Sequence, residues 1–146
     1  MMGSISPDQV RAEIQKFWQI MCGKPTSAGA LEALYFPAAV VLSGKARTPE
    51  PATLALARRK RQIGRPDGES AVEVGTVEVQ IEEPGVAIAS YTYRLHQNRS
   101  GNGGGHRTRH TLFGRATQIF QRDQRGVLRI VHEHLSAATN PQPEKD

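Results

Sequence analysis

Val10, Ile14, Phe17, Trp18 and Met21 follow one another at spacings of three and four, the period of a helix with one apolar stripe. Ser6, Pro7 and Asp8 ahead of them form a start signal. The hydroxyl can accept from an orphan amide, the proline lacks an N–H that the first turn would leave unused, and the acid suits the positive end of the helix. Gly23 and Pro25 end the pattern. A short second helix is expected from Ser27, burying Leu31 and Leu34, until Pro37 breaks it. Ala39–Leu42 is a brief apolar run closed by Ser43 and Gly44, most simply a buried strand. Thr48, Pro49 and Glu50 predict a third helix with Thr48 as its cap and Leu54, Leu56 and Ile63 as its apolar residues, ended by the run from Gly64 to Gly68.

From there the period changes to two. Val72 and Val74, then Val77, Val79 and Ile81, alternate along residues 71–82 but change phase around Gly75, which predicts a β-bulge in a long strand. Further strands are expected at 86–97, 107–122 and 127–136, with turns at Glu83-Pro84-Gly85 and Asp123–Gly126. Residues 98–105 have almost nothing to bury and read as a mobile hairpin loop, and the segment 138–146 as a disordered tail. There are no internal repeats. Helices first and hairpin-linked strands afterwards predict one α+β domain over residues 1–137, its helices on one face of an antiparallel sheet.

Composition narrows the possibilities. The chain has 146 residues, 38% of them hydrophobic, which suits one globular domain. Nineteen basic against fourteen acidic residues leave a net charge of +5, which favours anionic partners without making a nucleic-acid binder. Only 5% of residues are aromatic, too few for the stacking that nucleic-acid recognition uses, and the basic run Arg58-Arg59-Lys60-Arg61, with Arg65, is expected to be a solvated helix end. Arg99, Arg107 and Arg109 add charge beside the hairpin loop. A single cysteine, Cys22, excludes an internal disulfide framework and is assigned to packing. With neither a membrane-length apolar run nor a secretory layout at the N-terminus, a cytoplasmic setting is expected.

The last two strands carry the run Thr117-Gln118-Ile119-Phe120-Gln121-Arg122, a Gly126 turn, and then Leu128-Arg129-Ile130-Val131-His132-Glu133-His134-Leu135-Ser136. Together with the stretch from Leu34 to Leu42, this resembles the SnoaL-like branch of the NTF2-like superfamily over about residues 8–137. It is also similar to the association domain of calcium/calmodulin-dependent protein kinase II. The resemblance implies a cone: a curved antiparallel sheet wrapped around a pocket, closed by the N-terminal helices, in subunits that pair through the outer sheet face. It implies no single activity, because this fold hosts isomerases, cyclases, dehydratases and non-catalytic hubs.

The resemblance also orders the candidate residues. The carboxylate base of ketosteroid-isomerase-like members would fall near Ser43, which cannot act as that base, and Phe36-Pro37 stands where an acidic pair is frequent. Of the arginines presented by the kinase association domain's pocket, Arg94 matches one, while the other two positions hold Gln118 and Leu135; Arg94 is then either a pocket residue or a strand residue that snorkels to the rim and makes a salt bridge. His132 and His134 share a strand face and could supply two ligands to a metal, with His96, His106, His110 or Glu133 to complete the set, or could simply bond neighbouring strands. Two inward faces remain open for that strand. Leu128 and Ile130 place the histidines inside; the match at Leu135 places Val131, Glu133 and Leu135 inside, with Glu133 opposite Arg94 as a reagent or a structural ion pair.

Two readings follow. One is a pocket for a small organic molecule, acids included, lined by Arg94, Gln118, Glu133, His132 and His134, with no cofactor and no metal implied. The other is a non-catalytic homo-oligomerisation or accessory domain. Either is expected as a homodimer without membrane or nucleic-acid contacts.

Overall fold

The computed structural model describes residues 4–23, 29–43, 48–63, 68–82, 85–100 and 107–139. Helix α1 spans Pro7–Cys22 and begins as its start signal requires. Ser6 accepts from the Gln9 amide at 3.2 Å while Gln9 returns a carboxamide oxygen to the Ser6 amide at 3.0 Å, a closed capping box. Its stripe of Val10, Ile14, Phe17 and Trp18 is buried. The second helix is reduced to a single 3-10 turn, Glu32–Leu34; its expected start at Ser27 lies outside the described residues. Leu31 and Leu34 are buried as expected.

Strand β1 runs Tyr35–Ser43, longer than the apolar run at its centre, and the two-residue β2, Glu50–Pro51, pairs with it. Helix α2, Ala52–Ile63, therefore starts after the second proline of Thr48-Pro49-Glu50-Pro51, not at Thr48. Among its described side chains Ala52, Ala55, Leu56 and Arg59 are buried, whereas Leu54 is 59% exposed; the side chain of Ile63, expected to be buried, lies outside them. The basic run is thus not wholly a solvated helix end: Arg59 belongs to the interior.

The expected strand over 71–82 is two, β3 (Gly68–Val74) and β4 (Glu78–Glu82), and both pair with β5, Val86–Ser100. Val74 faces Tyr93 and Glu78 faces Ser90, so residues 75–77 stand opposite Tyr91 and Thr92 alone, and one residue is extra. Gly75 sits at that step, its amide donating to Thr92 O at 2.9 Å. A side chain there would press on the Thr92 hydroxyl. Strands β6 (Arg107–Arg122) and β7 (Leu128–Thr139) complete the sheet. Asn98, Arg99 and Ser100, expected in the loop, extend β5, and β7 runs on to Thr139; the rest of that loop and of the tail lie outside the described residues.

The sheet is curved and unclosed, in the order β2-β1-β7-β6-β5-β3 with β4 also on β5. It is mixed rather than antiparallel, because β1 lies parallel to β7. Two irregularities shape that seam. Phe120 pairs with Ile130 and Ile119 with His132, leaving Val131 as a bulge; between Tyr35 and Val40 the β1 register slips as well. The bulge settles the inward face of β7: Leu128 and Ile130 point in before it, Glu133 and Leu135 after it, and His132 and His134 point out. At the β6–β7 turn, Asp123 accepts from the Arg125 and Val127 amides and from Arg129 Nε, all within 2.9 Å.

Candidate functional site

Inside the curve of the sheet, six polar or aromatic side chains from six elements meet. Gln118 of β6 and Glu133 of β7 are direct cross-strand partners and both are fully buried. Gln118 Nε2 donates to Glu133 Oε2 at 2.7 Å, and the Tyr35 hydroxyl, from the start of β1, donates to the same oxygen at 2.7 Å. Arg59 reaches in from the second turn of α2. Its Nη1 donates to the Tyr35 hydroxyl at 2.7 Å and stands 2.7 Å from Glu133 Oε1. That second contact is ionic without an aligned hydrogen bond, so Oε1 keeps a lone pair unspent. On the far side Tyr91 donates to Gln118 Oε1 at 2.8 Å, and the Trp18 indole of α1 donates to the Tyr91 hydroxyl at 3.0 Å. One chain of contacts therefore ties α1 through the sheet to α2.

The charges explain the titration behaviour. Burial, then the Glu133 charge, pushes the Tyr35 hydroxyl well above the ordinary tyrosine range. Burial does the same to Tyr91 and, less completely, to Tyr93. For Arg59 burial acts in the opposite sense, but Glu133 and Tyr35 outweigh it and hold the guanidinium charged more firmly than in water.

A cavity of about 530 Å³ opens beside this cluster. Ala33, Phe36, Pro37 and Leu56 give it apolar walls, and Tyr35 forms the wall shared with the ionic network. Thr53, Glu32 and Arg129 also line it.

Of the residues singled out from sequence, the structure brings Gln118 and Glu133 together and leaves the other three elsewhere. Arg94 does not stand opposite Glu133. It follows buried Tyr93 on β5, so alternation turns it outward, where its guanidinium lies 5.3 Å from the centre of the Phe113 ring. His132 and His134 are on that outer face too, beside Ile119 and Thr117. His96 binds Thr111 Oγ1 at 3.0 Å and Glu73 Oε1 at 3.3 Å, and His110 is exposed. Among the described residues, no three His, Cys, Asp or Glu side chains are grouped to hold a metal ion. His106 lies outside them. Cys22 is half-buried, and burial pushes its thiol up.

Arg59, Tyr35 and Tyr91 are the members that sequence reading misses. The signal for Arg59 was present: Ala52, Ala55, Leu56 and Arg59 fall at spacings of three, four and seven, the buried stripe of a helix.

No protein-family profile and no curated protein sequence matches the chain. Solved structures do. An NTF2-like protein of unknown function from Pseudomonas putida superimposes with a TM-score of 0.68 at 18% identity, over 93% of this chain and 95% of that one. An NTF2-like superfamily protein from Salmonella enterica serovar Typhimurium gives 0.70 at 14% identity, over 95% of each chain. The fold is NTF2-like. The beta subunit of benzoate 1,2-dioxygenase from Burkholderia mallei has the same NTF2-like architecture, with a TM-score of 0.73 at 12% identity over 98% of this chain and 97% of that one. At these identities the likeness establishes the NTF2-like fold and leaves activity to the chemistry of the site. Among the described residues no helix is long and apolar enough to cross a membrane.

Proposed function

We propose that this chain is a small-molecule-binding domain that holds its ligand without turning it over. One observation carries the reading: an open, largely apolar cavity shares one wall, Tyr35, with a buried network whose carboxylate, Glu133, makes its contacts inside the protein. Glu133 is fully buried behind Tyr35 and engaged by Tyr35, Gln118 and Arg59, so it has no open approach to a substrate proton. The cavity, about 530 Å³, is of the size that small organic ligands occupy. Gln118 and Glu133 serve it from behind by fixing Tyr35; Arg94, His132 and His134 take no part. The free, half-buried thiol of Cys22 suits a reducing, cytoplasmic setting.

The test is a thermal-shift screen of the purified chain against small ketones, alcohols and aromatic acids. A ligand at a hundred times its dissociation constant should add about 2.7 kcal/mol of stability, several degrees for a domain of this size. Ala33→Trp, which fills the cavity from an exposed position, should remove the shift. A panel without a single shift overturns the reading, and conversion of a bound compound, seen by NMR, overturns its non-catalytic half.

A second reading, a homo-oligomeric accessory domain, is supported by the outer sheet face. Ile88, Phe113 and Ile119 are only part-buried there and Val40 is 36% exposed. The near full-length likeness to a dioxygenase beta subunit, itself one component of an assembly, points the same way.

A further inference from the structure

We infer that the cavity beside Tyr35 takes a small monocarboxylate with an apolar body, its carboxylate held by Arg129; this deepens the binding reading above and rests on it. The walls of the cavity divide by chemistry. Ala33, Phe36, Pro37 and Leu56 offer carbon surface and no hydrogen-bonding side chain, enough to cover a ring or a short branched chain. The polar side chains of the lining are Arg129 at the start of β7, Glu32, and Thr53 in the first turn of α2, where the helix dipole favours an anion.

Arg129 is prepared for such a role. Its Nε donates to Asp123 Oδ2 at 2.9 Å, and Asp123 is itself fixed by the Arg125 and Val127 amides. Those contacts, the Val127 amide first, hold the Asp123 carboxyl below its ordinary range. The guanidinium is therefore positioned through one of its five N–H donors, and its side chain stays 29% exposed. A positioned, part-exposed guanidinium loses little further side-chain freedom when it binds a carboxylate, and the pair can be bidentate.

The remaining charge in the lining sets the class. Glu32 borders the same cavity and already has a partner within the protein. Arg129 is already shared with Asp123 and Glu32 stands in the lining, so a dianionic phosphate would bring two further negative charges to the site where a monocarboxylate brings one. A neutral molecule would leave the arginine to water and gain only the apolar contacts.

Isothermal titration of the whole chain with phenylacetate, 2-phenylethanol and acetate tests this. Phenylacetate should bind saturably, 2-phenylethanol about tenfold or more weakly, and acetate too weakly to detect. Added salt should weaken phenylacetate and leave the alcohol unchanged, a readout that needs no variant. Arg129→Gln, folded by circular dichroism, should lower phenylacetate to the level of the alcohol. Equal affinity for acid and alcohol, both lost in Ala33→Trp, overturns the carboxylate assignment while the small-molecule reading stands. Unchanged phenylacetate binding in Arg129→Gln overturns it too. Failure of all three compounds to bind overturns the assignment and counts against the cavity as a binding site.

Discussion

Arg59 holds the network together because its guanidinium faces a carboxylate in a place that water does not reach. A buried pair of this kind stabilises less than its geometry suggests, since both ions were desolvated to form it, but removing one partner strands the other. Arg59→Met should therefore cost about 3–5 kcal/mol in urea unfolding, and Arg59→Met with Glu133→Gln should recover most of that loss. A single variant within 1 kcal/mol of the parent would mean that Glu133 finds water or another donor. The tyrosines give a pH test. Tyr35, Tyr91 and Tyr93 are all raised by burial, so the folded chain keeps them protonated where the unfolded chain does not. Stability should be fully present below about pH 10, the unfolded tyrosine value, and should fall above it by up to about 1.4 kcal/mol per pH unit for each tyrosine. Urea unfolding between pH 8 and 11 measures the slope, which Tyr91→Phe should make shallower. At this scale Gln118 and Glu133 were legible because a family pattern lay over them. For Arg94 the family pattern points inward while its own strand points outward, because Tyr91 and Tyr93 before it show which parity of β5 faces in. Arg59 was hidden by its neighbours: four basic residues in a row look solvated until the stripe of α2 is drawn through them.

Elements fail to follow simple periodicity where the backbone gains a residue. For β7 two inward faces could be argued from sequence, one from Leu128 and Ile130 and one from Leu135. Each is right on its own side of the Val131 bulge. The Gly75 bulge could be read because a glycine marked it; Val131 carries no such mark. Thr48 and Pro49 look like a helix cap, yet Pro51 drives Glu50 into the extended region and the helix must wait for Ala52. Across the β5–β6 hairpin, Tyr93 lies directly opposite Gly114, and its ring occupies the space of the missing side chain. A Cβ on Gly114 would sit 2.0 Å from Tyr93 Cζ. The ring also packs on Trp18, with centroids 4.5 Å apart, so it has little room to retreat. Gly114→Ala should cost about 1–3 kcal/mol or more, and Tyr93→Leu in the same chain should return part of it, both read by thermal unfolding.

For the whole molecule, the sequence revealed the order of helices and strands and the fold they build, but not the β1–β7 seam. Parallel pairing of Tyr35 with Ile130 leaves no trace in any local pattern, because nothing near either residue refers to the other. Pairing through the outer face is implied by the resemblance alone and becomes testable as a surface. If two copies meet there, Ile119→Arg, at the middle of the face, should convert a dimer to a monomer in light scattering without changing the melting of the monomer. An unchanged mass would remove that face from any assembly.

The seam between β1 and β7 also sets an order of events during translation. Tyr35 and Arg59 leave the ribosome several seconds before Glu133 at about 5–20 residues per second. Until β7 follows, Arg59 lacks its Glu133 partner, and β1 lacks the neighbour that fills its long edge. The nascent chain thus carries Arg59 without its native partner, and an open strand, until the last strand is made. Burial of Arg59 becomes a late step, completed only when the last strand slides in between the first strand and the hairpins.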